Sequence, residues 1–307
     1  MSGNCQGRVR LKSCWTGKIG LNINGDLSRH EIIERAKIAE SSGIRVVWVG
    51  EFEGFEDPFE VASVIAESTG LKIGFGVVTT TRRTCREILE RFEGIRKRYG
   101  DRFILGLGAG EGEPGRAYRS LRDCIEALDR RFPVVVGAGS PMTLRLAGKT
   151  GGVLFNSVNP EFLEWMMEYI EKDVFKAAYG PALILPSEFE EDLLLAASIV
   201  FLGSRNLIRR FGFEDIAEEL SKVDIMGLVN LRRSGRSIFE RRDAGILHTY
   251  KDFLLEKFTL SGTLEEVKAK ISRLLKLCDH VILSDPFFRD LRSMGHLREL
   301  AQQMVGR

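Results

Sequence analysis

The stretch Arg102-Phe-Ile-Leu-Gly-Leu-Gly-Ala-Gly-Glu-Gly-Glu-Pro114 passes without a spacer from an apolar run to glycine at every second position. A buried parallel strand ends at a ligand site in this way. Phe103 to Leu107 is apolar enough to be covered on both faces. Gly106, Gly108, Gly110 and Gly112 then remove side chains from the exit, so that backbone N–H groups or a flat ring can come close. Glu111 and Glu113 stand at the mouth. A glycine-rich strand-to-helix turn without a ligand has the same composition, and the remaining sequence bears on the choice.

From Lys18 onward, short apolar runs alternate with amphipathic helical stretches, which predicts βα units around a parallel sheet. The strands read as 19–23, 45–49, 71–78, 103–107, 132–136, 153–155, 182–185 and 280–283. Helix starts are marked by Ser-x-x-Glu or Thr-x-x-Glu boxes at Ser28/Glu31, Ser187/Glu190 and Thr263/Glu266, and by Asp57-Pro58. Between 204 and 260 the alternation lapses into helical, Arg-rich sequence, which reads as an insertion before the last unit. A single helix over 287–304 closes the chain. Eight such units predict an α/β chain folded as a closed (β/α)8 TIM barrel rather than an open doubly wound sheet. The expected organisation is a flexible leader at 1–17 and one barrel domain at 18–307. Active sites of such barrels lie at the carboxyl ends of the strands, where Asn22, Glu51, Thr79 to Thr81, Glu111, Gly137 to Pro141, Asn156 and Ser284 fall.

The 307 residues carry 44% hydrophobic content and a formal net charge of +2, enough for a full core and too balanced for a protein that holds nucleic acid through its phosphates. No apolar stretch is long enough to span a membrane, and the basic, polar N-terminus lacks the apolar segment of a signal peptide, so a cytoplasmic protein is expected. The five cysteines, Cys5, Cys14, Cys85, Cys124 and Cys278, form no CxxC pair. That argues for a reducing compartment, against a disulfide framework and against a metal site. Cys124 and Cys278 read as core thiols.

Several segments then occur in order along nearly the whole chain: Ile38-Ala-Glu-Ser-Ser-Gly-Ile-Arg-Val-Val-Trp-Val49, Ser68-Thr-Gly-Leu-Lys-Ile-Gly-Phe-Gly-Val77, Leu105 to Gly110, Pro133-Val-Val-Val-Gly-Ala-Gly-Ser-Pro-Met142, Phe155-Asn-Ser-Val-Asn-Pro160 and Leu260-Ser-Gly-Thr-Leu-Glu-Glu266. With these the chain resembles the luciferase-like superfamily of flavin and deazaflavin barrels, and within it the coenzyme F420-dependent methylenetetrahydromethanopterin reductases. The resemblance implies an oxidoreductase passing hydride between coenzyme F420 and a small organic substrate. It also implies that Gly137, Ala138, Gly139 and Ser140 hold the cofactor's phosphate-bearing tail, with Asn156 and Ser157 as further tail contacts. A non-prolyl cis peptide at Gly76-Val77 is implied behind the ring, with Thr79 and Gly108 beside it. Self-association into a homo-oligomer is expected on the same basis.

Two departures stand out. The family's carboxylate at the end of strand one is Asn22 here, and its Asp-His pair after strand two is Glu51-Phe52. Glu51 and Glu111 therefore carry the expectation of a catalytic carboxyl group, with Asn22 at the altered position. An FMN-dependent monooxygenase is the alternative within the enzyme class, and a non-catalytic ligand-binding paralogue the alternative outside it. The insertion's Arg205, Arg209, Arg210, Arg232, Arg233, Arg236, Arg241 and Arg242 read either as a receiver for an anionic ligand or as solvated and salt-bridged faces. His248 with Tyr250 is a further proton-carrying candidate. Phe52, Phe55 and Phe59 read as core, with pocket lining as the other possibility.

Overall fold

The structure, a computed structural model, describes residues 17–128, 131–132, 134–170 and 174–303, so all but the last residue of the expected leader lies outside the described residues. The apolar runs become the staves of a closed parallel barrel: β1 (Ile19–Asn22), β2 (Val46–Val49), β3 (Lys72–Phe75), β5 (Phe103–Gly108), β6 (Val134–Ala138), β7 (Gly152–Phe155), β8 (Phe175–Ile184) and β10 (His280–Ser284). Each is parallel to its neighbour, and β10 pairs with β1 on one side and β8 on the other, which closes the ring. Two short strands are added, β4 (Val78–Thr79) beside β5 and β9 (Leu260–Gly262) beside β8. Helices fill the outside, and the predicted caps at Ser28/Glu31, Asp57 and Thr263/Glu266 are present.

Most of the core lies between strands and helices. A second cluster fills the barrel itself, where Val46, Trp48, Ile104, Leu154, Phe175 and Ile282 pack together. His280 closes the amino-terminal end of this interior. The Trp48 indole N–H donates to His280 Nε2 at 3.0 Å, so His280 Nδ1 carries the proton and donates to the Gly17 carbonyl at 2.6 Å. Burial pushes the pKa of this imidazole down to about 4.

Four expectations need correction. The seventh barrel strand is Phe175–Ile184 and not 182–185; it contains Pro181, which falls after the last β7 pair at Ala178 and before the first β9 pair at Ala182. Proline is tolerated there because that side has no ladder partner to receive an N–H. The Ser187/Glu190 box does not form: Phe189 precedes the helix Glu190–Gly203 without a side-chain cap. The final helix is broken into Leu291–Gly295 and Leu297–Gln303, after a cis Asp285-Pro286 bond. Finally, Cys124 is not a free core thiol. Cys85 and Cys124 form a disulfide with their Cα atoms 5.3 Å apart, joining the helices Cys85–Tyr99 and Pro114–Leu128; Cys278 is free and buried as expected.

Candidate active site

The glycine ladder of β5 serves a purpose the sequence did not reveal. Gly74 pairs with Ile104 and Val78 with Leu107, so the chain between β3 and β4 has one residue more than β5 opposite, and it bulges. The Gly76-Val77 bond in this bulge is cis, as the resemblance implied. A Cβ placed at Gly106 would lie 1.8 Å from the Phe75 carbonyl oxygen, at Gly108 2.6 Å from Val77 Cγ2, and at Gly110 2.0 Å from Thr81 Oγ1. These glycines are therefore filled by the neighbouring segment and not left bare for a ligand. Gly137 of β6 also makes room, since a Cβ there would lie 2.9 Å from Val77 Cγ1. Val77 is thereby driven over two glycines and into the barrel mouth.

Above it opens a cavity of about 1410 Å³ at the carboxyl ends of the strands, walled on its far side by the helical segment that follows β8. Val77, Leu154 and Tyr179 line it, resting on the interior cluster around Trp48. Of the predicted residues, Glu51, Gly76, Val77, Thr79 and Gly108 line the cavity, as do Gly137, Ala138, Gly139, Ser140 and Asn156. Gly139 differs from its neighbours, because a Cβ there would meet nothing within 4 Å. Ser140 caps the helix Pro141–Ala147, its hydroxyl accepting from Thr143 N–H.

The remaining predicted residues are placed elsewhere. Asn22 is fully buried beneath the cavity; its amide donates to the Trp48 carbonyl at 3.1 Å, and its Oδ1 accepts the Tyr179 hydroxyl at 3.2 Å. Glu111 is exposed and does not line the cavity, while Ser157 is buried with its hydroxyl accepting Asn159 N–H. His248 is exposed against the Phe239 ring. Phe52 and Phe55 line the cavity in a tilted pair with centroids 5.1 Å apart, against the expectation of core; Phe59 is core.

Glu51 reaches the cavity wall already engaged. Its Oε2 accepts from Thr79 N–H at 2.9 Å and from the Thr79 hydroxyl at 2.5 Å, and its Oε1 is ion-paired with Arg83, which also holds Asp57 at 2.7 Å. This carboxylate fixes the end of β4. It has little capacity left to act on a substrate.

Sequence reasoning missed the groups on the opposite wall. Asp285 follows β10 and is gripped by Arg289 through two hydrogen bonds of 2.6 and 3.1 Å, and Arg289 also bonds Asp26. Burial, together with the nearby Asp26 and Asp192 charges, raises the Asp285 pKa despite that guanidinium. Burial raises the Tyr179 phenol to about 12, so it stays protonated. All line the same cavity. The only sequence signal for Asp285 is its position after a strand end, and Tyr179 lies in the half of β8 that Pro181 hides from the sequence pattern.

Comparison with known proteins accords with this geometry. The sequence profile of the family described as Luciferase-like monooxygenase matches residues 12–130. The solved structure of a coenzyme F420-dependent tetrahydromethanopterin reductase from Methanopyrus kandleri superposes with a TM-score of 0.74 over 94% of this chain and 99% of its own, at 19% identity. The fold is a luciferase-like barrel. Two further proteins bracket it. A 5,10-methylenetetrahydromethanopterin reductase from Methanolobus tindarius is 24% identical over 90% of this chain and 94% of its own. The oxygenating constituent of 3,6-diketocamphane monooxygenase from Pseudomonas putida, solved with FMN, superposes on this luciferase-like barrel with a TM-score of 0.57 over 94% and 98% of the two chains, at 14% identity.

Proposed function

We propose that this luciferase-like barrel is an oxidoreductase that binds coenzyme F420 and passes hydride between it and a small organic substrate. The observation that carries the reading is the contrast between Gly137 and Gly139, two residues apart. Gly137 gives its space to Val77, which forms an apolar support in the barrel mouth, whereas Gly139 faces open room on the adjacent rim. A planar ring needs the support, and a phosphate-bearing tail needs the bare backbone.

The residues present fit such a group. Val77 and Leu154 would back the ring, and Gly137, Ala138, Gly139, Ser140 and Asn156 would hold the tail. When bound, a deazaflavin supplies a carbon that donates or accepts hydride. Glu51 contributes by fixing Thr79 beside Val77, and Tyr179, whose hydroxyl proton goes to Asn22 Oδ1, would present its phenol oxygen as an acceptor at the cavity floor. The higher TM-score against the coenzyme F420-dependent reductase, 0.74 against 0.57 for the FMN-bound monooxygenase, supports F420 over FMN. The similarity to an FMN-bound monooxygenase supports the second reading, a flavin-dependent monooxygenase.

Titration of the purified protein with F420 and with FMN tests the proposal. Saturable quenching of deazaflavin fluorescence, abolished by Gly139→Val and absent with FMN, is the expected result. Binding of FMN alone would transfer the reading to the monooxygenase, and binding of neither would leave the non-catalytic paralogue.

A further inference from the structure

The arginines of the segment after β8 divide sharply once their partners are known. Arg232 is held by Asp192 at 2.8 Å, Arg233 lies 3.8 Å from Asp26, Arg236 is paired with Glu240, and Arg241 with Asp243 and Asp224. Arg289 of the opposite wall is engaged by Asp285 and Asp26. Arg205 also lines the large cavity, yet among the described residues it has no carboxylate, carbonyl or ring partner, and it is exposed. It is the one cavity-lining arginine among them whose charge is uncompensated.

Its place in the fold says which end of the cavity it serves. The helix Arg205–Phe211 packs on the helix Pro160–Met167, with the Phe211 ring 4.7 Å from Phe162 and 6.3 Å from Trp165. The latter helix begins just beyond Asn156, at the end of β7, and its Met166 lines the cavity together with Asn206 and Leu207. Arg205 thus opens a helix that lies against the helix following β7 and Asn156, and it lines the same cavity as Gly139. It also borders a smaller, shallow cavity of about 620 Å³, which marks it as the outer lip.

We propose that Arg205 holds a second anionic group, a carboxylate or phosphate, of a ligand that extends outward past the Gly139 rim. This rests on the reading of that rim as the tail site. An unpaired guanidinium at the lip of a concave site attracts and orients an anion at little desolvation cost, because its far side stays in water. The anion has two possible sources, the distal part of the cofactor's own tail or an anionic co-substrate.

The test is fluorescence titration of the full chain and of Arg205→Gln with F420 bearing its glutamyl tail, and with the same deazaflavin lacking phosphate and glutamates. Citrate is then titrated into the F420-loaded proteins as a probe of the second source. If the tail is the source, Arg205→Gln weakens F420 about tenfold, the scale of one charge-assisted hydrogen bond, and leaves the truncated deazaflavin within about twofold. Arg205→Lys recovers part of the loss, and Arg209→Gln, beside the shallow cavity only, has no effect. If a co-substrate is the source, F420 affinity is unchanged and citrate binding to the loaded protein is lost in Arg205→Gln alone. Equal affinities of wild type and Arg205→Gln for both F420 and citrate overturn the proposal while leaving F420 binding itself intact. Failure of the wild type to bind either deazaflavin overturns the rim assignment and this proposal together.

Discussion

The Tyr179 hydroxyl donates to Oδ1 of Asn22 at 3.2 Å, and the same amide is turned the right way round by donating to the Trp48 carbonyl. The position at which the resemblance implies a carboxylate is thus a neutral, buried acceptor for a phenol. Tyr179→Phe removes the donor and leaves Asn22 Oδ1 orphaned, at an expected cost of about 1–3 kcal/mol in urea denaturation with unchanged m-value. Asn22→Asp is expected to be more stable at acid pH than at neutral pH. Its carboxyl group is fully buried, so its folded pKa lies above the unfolded value of about 4 and stability is lost as pH rises past it.

The packing of Val77 against glycine is expected to show as coupling between sites. Gly108→Ala places a methyl group 2.6 Å from Val77 Cγ2, closer than real Cβ contacts allow, and should cost about 1–3 kcal/mol. Val77→Ala in the same chain should recover most of that, because the clash is pairwise; a double-mutant cycle without coupling would remove this account of the ladder. Gly139→Ala, facing open space, should leave stability within about 0.5 kcal/mol and weaken cofactor binding instead.

His280 makes stability depend on pH in a stated direction. Its folded pKa is held near 4 by burial against about 6.5 when unfolded, so below pH 6.5 the unfolded chain binds a proton that the folded chain refuses. Stability is therefore fully present above 6.5 and falls by up to about 1.4 kcal/mol per pH unit between 6.5 and 4, from this residue. Guanidinium midpoints measured across that window, in wild type and in His280→Asn, isolate the contribution: the slope should flatten in the variant.

The Cys85–Cys124 bond spans 39 residues of sequence and should contribute about 2–4 kcal/mol. Cys85→Ser with Cys124→Ser should lower the melting temperature accordingly, whereas reductant should have little further effect on that variant. In mass spectrometry the peptides of Cys85 and Cys124 should alkylate only after reduction. Cys278, buried and with its thiol raised to about 12, should alkylate only after unfolding.

The barrel was legible because its signals are local. Each apolar run and each cap at Ser28, Asp57 and Thr263 reports on a few neighbouring residues, and the order of segments resembling known barrels carried the cis bond at Gly76-Val77. What escaped depended on pairing at a distance. Pro181 disguised half of β8, since only the gap between β7 and β9 explains why proline is tolerated. Gly106 and Gly108 read from sequence as bare backbone, because nothing local says that a bulge after β3 occupies their space. Glu51 had the right chemistry and place, but its engagement by Thr79 and Arg83 is visible only in three dimensions. Scattered cysteines gave no hint that Cys85 and Cys124 face each other across two helices.

The Trp48–His280 hydrogen bond and the packed interior above it have a kinetic consequence. With that end corked, whatever occupies the floor beside Val77 must come and go from the carboxyl-terminal side. A guest that covered that floor would have to leave before one lying beneath it, so any turnover at this site would be ordered wherever two ligands stack there.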